Sequence, residues 1–140
     1  MFHVRVKEVA AVKYVSRSGV LAPDEIDSFV TEAIRELEQK YAGIARPFSV
    51  YHGCDKDERQ LVEVCLPTPE GNEELDGGRV AYTVASGAEC EYPQITEAYD
   101  AVARFISERG LASAGVPRET YLTPPDAVEP EMEIAFPLSA

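Results

Sequence analysis

The stretch PRETYLTPP (117–125) gathers the residues best suited to chemistry. An extended strand alternates its faces, so Glu119, Tyr121 and Thr123 share one side and Arg118, Thr120 and Leu122 the other. A carboxylate among aromatic rings can hold a cation by charge attraction and cation–π contact. A carboxyl group withdrawn from water can also serve as an acid or base. Seventy positions earlier, RPFSVY (46–51) offers Ser49 and Tyr51 at the matching places, without a second glutamate. Two tyrosines and one unmatched glutamate thus form the candidate set. Read alone, Glu119 is an ordinary solvent-facing strand residue before it is a site residue, and both tyrosines suit a core rim with their hydroxyls in water.

Other reactive side chains fall short of a site. His52 with Cys54 in the turn-like HGCD lacks the three or four converging ligands of a metal centre. The cysteines, Cys54, Cys65 and Cys90, are odd in number and without paired spacing, which predicts reduced thiols rather than a disulfide framework. No serine lies in a nucleophile elbow, and no glycine loop would cradle a phosphate. Nothing calls for a cofactor or a metal.

The elements that position Glu119 follow from a repeat. VEVCLP (62–67) returns as MEIAFP (132–137), Pro47 as Pro117 and Tyr51 as Tyr121, all at an offset of seventy, while VKYVSRSG (12–19) resembles VAYTVASG (80–87) at sixty-eight. Such self-similarity organises the whole fold. In the first copy a valine-rich strand is predicted over 4–15, with a bulge near Glu8–Ala11. A helix then opens at Pro23, buries Ile26, Phe29, Val30, Ala33, Ile34, Leu37 and Tyr41, and stops at Gly43. Strands near 46–51 and 61–66 complete the copy. The second copy runs through a strand at 79–86 and a helix from about Pro93 with Ile95, Tyr99, Val102, Phe105 and Ile106 inward, ending at Gly110. Strands near 117–123 and 130–137 close it.

The polar GNEELDGG (71–78) reads as the connection between copies. The expected fold is α+β: residues 1–140 form one domain of two β-α-β-β halves, about 1–70 and 71–140. Each half would place one helix on one face of a mainly antiparallel sheet. Val62, Val64 and Leu66, with Met132, Ile134 and Phe136, would lie beneath the helices. The remaining face, carrying glutamates such as Glu63 and Glu133, small residues and tyrosines, would line a partly wet cleft between the halves.

Composition bounds the partners. With 13 Lys and Arg against 25 Asp and Glu, the net charge of −12 disfavours direct nucleic-acid binding. The 45% hydrophobic and 27% charged content is that of a globular chain. No apolar run approaches a bilayer span, and no signal peptide is evident, so the expected setting is the cytoplasm, with no membrane partner.

Taken together, the duplicated unit, the VAYTVASG strand leading to AYDAVARFISERGL, and PRETYLTPP followed by MEIAFP resemble the GyrI-like family. This is the effector-binding domain of multidrug-responsive regulators, found also as a stand-alone protein. The resemblance implies a small-molecule cleft, often for hydrophobic cations, with Glu119 and Tyr121 in it. It departs after Gly87, where family members often carry an aromatic and this chain has Ala88, with Tyr92 arriving later; no tryptophan is present. The leading expectation is binding, for sensing or sequestration, of hydrophobic, cationic small molecules by Glu119, Tyr121, Tyr51, Ser49 and Tyr92. Two alternatives accompany it. One is a hydrolase of cyclopropane-bearing genotoxins using Glu119 and Tyr121. The other is an acidic inhibitor that binds a gyrase-like protein partner.

Overall fold

The computed structural model describes residues 2–124 and 126–139; Pro125, which ends the PRETYLTPP stretch, lies outside the described residues. The architecture is α+β, and every strand pairing is antiparallel. The chain divides into two compact units. One runs from Ala11 to Asp76; the other joins the residues up to Ala10 with those from Gly77 onward.

In the unit from Ala11 to Asp76, β2 (Val12–Leu21), α1 (Ile26–Lys40), β3 (Phe48–Cys54), β4 (Gln60–Pro67) and β5 (Glu73–Leu75) form a sheet ordered β3-β4-β2-β5 with one helix on it. Pro23 opens a single 3-10 turn, Pro23–Glu25, that leads into α1. Glu25 reaches back to accept the Ala22 amide N–H at 2.9 Å, a cap that satisfies a donor left free at a helix start. Val30, Ala33, Ile34 and Leu37 form the buried stripe. The helix stops at Lys40, where Tyr41 N–H bonds the Leu37 carbonyl at 2.9 Å, three residues before the expected Gly43. Val62, Val64 and Leu66 are fully buried, and they face α1: Gly19 pairs with Val62, and a Cβ on Gly19 would meet the Phe29 ring of the helix at 3.1 Å.

The second unit holds β1 (Arg5–Val9), β6 (Gly78–Ser86), α2 (Ile95–Glu108), β7 (Arg118–Tyr121) and β8 (Glu131–Pro137), ordered β1-β6-β8-β7. Its core joins Ala81, Val102, Ile106 and Leu138, with Phe105 and Phe136 against them. Helix α2 ends where Gly110 takes φ 67°, a left-handed conformation that glycine adopts without steric cost.

The duplication is written in the hydrogen-bond register. Ser49 pairs with Val64 and Tyr51 with Val62; Glu119 pairs with Ile134 and Tyr121 with Met132, each an offset of seventy. Strand β6 departs from the sequence match. Ser16 pairs with Cys65 and Tyr82 with Ala135, so the structural offset between β2 and β6 is sixty-six rather than sixty-eight. A slip of two residues leaves every side chain on the same face.

Two further expectations are corrected. The single strand over 4–15 is two strands broken at Ala10–Ala11, and β1 pairs with β6 rather than with its sequence neighbours. The connection 71–78 contains a short strand, β5, laid against Val12–Tyr14. Gly71 permits that return, since a Cβ there would stand 2.3 Å from the Tyr14 backbone nitrogen.

Candidate functional site

Glu119 lies in the middle of β7 and is only 7% exposed. Cross-strand partners in an antiparallel ladder share a face, so its pairing with Ile134 puts it on the α2 side of the sheet. Tyr99 of α2 confirms that side by donating its hydroxyl to Glu119 Oε2. The Tyr99 ring meets Phe136 edge-on, with centroids 6.1 Å apart. Tyr121, two residues on and half-buried, shares the face with Glu119.

This overturns the expectation that Glu119 and Tyr121 sit on the face away from the apolar sets. They lie with Met132 and Ile134, because the β7–β8 register matches Glu119 to Ile134 and not to Glu133. Ser49, fully buried, and Tyr51, half-buried, hold the equivalent places in β3, beside Val64 and Val62. Tyr92 is 82% exposed in the segment before α2. Thr123, beyond the end of β7, accepts the Glu131 amide N–H at 3.1 Å.

Tyr99 is the residue that sequence reasoning missed. Its helical spacing marked it as inward-facing, and a phenol turned into a core needs an acceptor. The same logic run from Glu119, a buried carboxylate needing a donor, would have matched the two.

Cys90 stands near this carboxylate. Burial pushes its thiol up from the ordinary range, and the charges of Glu89, Glu119, Glu131 and Glu91 push the same way. Its Sγ lies 3.4 Å from the Ala85 carbonyl and 3.6 Å from that of Pro130, so it acts as a weak donor and stays a thiol. The arrangement is therefore a ring-flanked and largely desolvated carboxyl group. In such surroundings a charge interaction is stronger than in water.

The sheet face away from the helices differs between the two units. In the unit from Ala11 to Asp76, Phe48, Val50 and Cys65 are buried there with Tyr14 and Leu75 against them, which replaces the expected wet lining by a second apolar cluster. Burial raises the Cys65 thiol strongly, Glu63 and Glu73 adding to it. Tyr14 is pushed up to about 12, first by burial and then by Glu63, Cys65 and Glu73. His52 is a β3 residue rather than part of a turn, and its Nε2 lies 2.8 Å from Glu63 Oε1. In the other unit that face is polar: Lys7 donates to Glu133 at 2.6 Å and lies 4.3 Å above the Tyr82 ring. Among the described residues, no three His, Cys, Asp or Glu side chains converge as a metal site would require.

Solved structures share this fold. The crystal structure of the EcmrR C-terminal domain matches with a TM-score of 0.78 at 18% identity, over 99% of this chain and 98% of that one. In the complex of EcmrR with DNA, the match spans 57% of the EcmrR chain. A hydrolase from Listeria innocua matches at 0.67 and 11% identity, over 97% and 91% of the two chains. SAV2435 bound to tetraphenylphosphonium matches at 0.59 and 11%, over 99% and 94%. At these identities the likeness is one of fold. No protein-family model matches the chain, and no curated protein does.

Proposed function

We propose that this chain is a GyrI-like domain that binds hydrophobic, cationic small molecules, for sensing or sequestration, with Glu119 as the charge partner. The observation that carries this reading is the Glu119 carboxylate itself, 7% exposed, held by the Tyr99 hydroxyl and flanked by the Tyr99–Phe136 ring pair. A ligand cation beside this carboxyl group gains a charge contact and also covers the neighbouring rings. Tyr121 on the same face adds a ring to the contact surface. The fold shared with the EcmrR C-terminal domain and with SAV2435 bound to tetraphenylphosphonium supports the reading. A cytoplasmic setting fits it, and no described helix is long and apolar enough to cross a membrane.

The test uses three tetraphenyl or triphenyl compounds of similar bulk and different charge. By calorimetry, tetraphenylphosphonium binds at least about tenfold more tightly than neutral triphenylphosphine oxide, the scale of one charge-assisted contact. Tetraphenylborate binds more weakly still. Equal affinities for all three would remove Glu119 as a charge partner.

A second reading has one observation in its favour, the shared fold with a Listeria innocua hydrolase. In it Glu119 orients or deprotonates water while Tyr121 hydrogen-bonds a developing oxyanion. Release of a hydrolysed product from a strained cyclopropane substrate, lost in Glu119→Gln, would establish it over simple binding.

A further inference from the structure

The second unit carries a groove separate from the Glu119 carboxylate. It has a volume of about 410 Å³ and is lined by Phe2, His3, Arg5, Tyr82, Thr83, Val84 and Glu89. It forms where β1 begins: the chain before Arg5 stays against β6 because the Thr83 hydroxyl donates to the His3 carbonyl at 2.7 Å. That bond holds Phe2 and His3 as one wall, and Tyr82 and Val84 contribute another.

The charged residues on this side of the sheet are not all paired. Arg5 pairs in register with Tyr82, Tyr82 with Ala135, and Ala135 with Arg118, so all four residues share the face away from α2. Lys7 lies on the same face, two residues along β1. Glu133 is the carboxylate opposite, and Lys7 holds it at 2.6 Å. Arg118, half-buried, feels Glu133 as its one compensating charge, while burial works against its guanidinium. Arg5 has no side-chain hydrogen bond or ion pair among the described residues. Glu89, at the other end of the groove, spends Oε1 on the Ser86 amide at 2.9 Å as a helix cap. This face thus carries Arg5, Lys7 and Arg118 with Glu133 and Glu131; Lys7 holds Glu133 and the Ser86 hydroxyl meets Glu131 at 3.4 Å, which leaves Arg5 as the cation without a carboxylate among the described residues.

We propose that this groove is a second ligand site, for a small aromatic carboxylate. Arg5 forks the carboxylate with two parallel N–H donors, a geometry that guanidinium provides and ammonium does not. The aromatic body of the ligand lies against Phe2 and Tyr82. The site selects the opposite ligand charge from the Glu119 carboxylate and does not depend on it.

The experiment titrates the intact chain with benzoate and, separately, with neutral benzamide, followed by amide chemical shifts. Benzoate shifts residues 2–5, 82–84 and 89 saturably, and benzamide binds about tenfold more weakly, the scale of a lost charge-assisted contact. Arg5→Gln, an exposed change at the first residue of β1, weakens benzoate by a similar factor. It leaves the tetraphenylphosphonium affinity unchanged, which separates this site from the cation site. Equal binding of benzoate and benzamide, benzoate shifts centred on α2 and β7, or an Arg5→Gln variant that binds benzoate as the wild type does would each overturn the proposal.

Discussion

Strands β3 and β7 are copies of one another, with Phe48, Ser49, Val50 and Tyr51 answering Arg118, Glu119, Thr120 and Tyr121 in the same register against their partners. One copy is a packing strand. Phe48 and Val50 bury on one face, and Ser49 disappears on the other. The other copy exchanges each of the first three for a charged or hydroxyl-bearing residue, yet Glu119 stays as buried as Phe48 and Val50. A strand position that holds a small buried hydroxyl in one unit thus holds a carboxyl group in the other. A buried carboxyl group costs free energy unless it is hydrogen-bonded, and the Tyr99 hydroxyl is one of its partners. The comparison teaches where to look in a duplicated fold: at the place where one copy accepts a cost that the other avoids.

Making the copies alike should break the packing unit first. Phe48→Arg places in β3 the residue that β7 carries, but within a cluster built from Val50, Cys65, Tyr14 and Leu75. Losing the ring and burying an uncompensated charge should cost about 4 kcal/mol or more, read as a collapse of the urea midpoint. A variant within about 1 kcal/mol of wild type would mean that this face tolerates charge as β7 does.

The contact that distinguishes β7 can be measured by a double-mutant cycle. Tyr99→Phe and Glu119→Ala, each of which removes one partner of the bond, should couple by about 1–2 kcal/mol, near the range for a hydrogen bond to a carboxylate. Zero coupling would make the contact incidental.

Tyr14 sharpens the comparison from the apolar side. Its folded pKa of about 12 lies above the unfolded value near 10. The folded state therefore holds this proton more tightly. The associated stability is complete below pH 10 and is lost as the pH rises through the interval to 12. Tyr14→Phe should flatten that alkaline decline in thermal melts, by a modest amount because the side chain is only half-buried. An unchanged slope would exclude Tyr14 as its source.

The ion pairs on the same faces should matter least. His52–Glu63 and Lys7–Glu133 centre on equivalent glutamates, with the basic side chain 38% and 37% exposed. His52→Lys, which makes the first pair resemble the second, should shift stability by about 0.5 kcal/mol or less. A change beyond about 1 kcal/mol would show a pair stronger than its exposure suggests.

The duplication was legible because a strand's pairing partners repeat when its sequence does. Tyr51 and Tyr121, Val62 and Met132 kept their offset through to the register. The face on which Glu119 lies was harder to read. Periodicity within PRETYL says which residues share a side, but only the match to Ile134 says which side that is. The departure of β1 was invisible for a related reason, since an alternating run does not name its partner. Strand β5 hid inside a polar, glycine-rich stretch whose three strand residues bear no apolar alternation. Tyr99 was legible as inward and illegible as a donor, because its acceptor lies twenty residues on in another element.

The central claim is that Glu119 meets a ligand's positive charge, and one titration tests it most directly. Tetraphenylphosphonium is titrated into wild type and into Glu119→Gln, which keeps the size and an acceptor for Tyr99 while deleting the charge. The account predicts a loss of roughly 1–3 kcal/mol in binding free energy, or about a tenfold to hundredfold rise in Kd, with the variant's melting curve close to wild type. Identical dissociation constants for the two proteins, both folded, would contradict it.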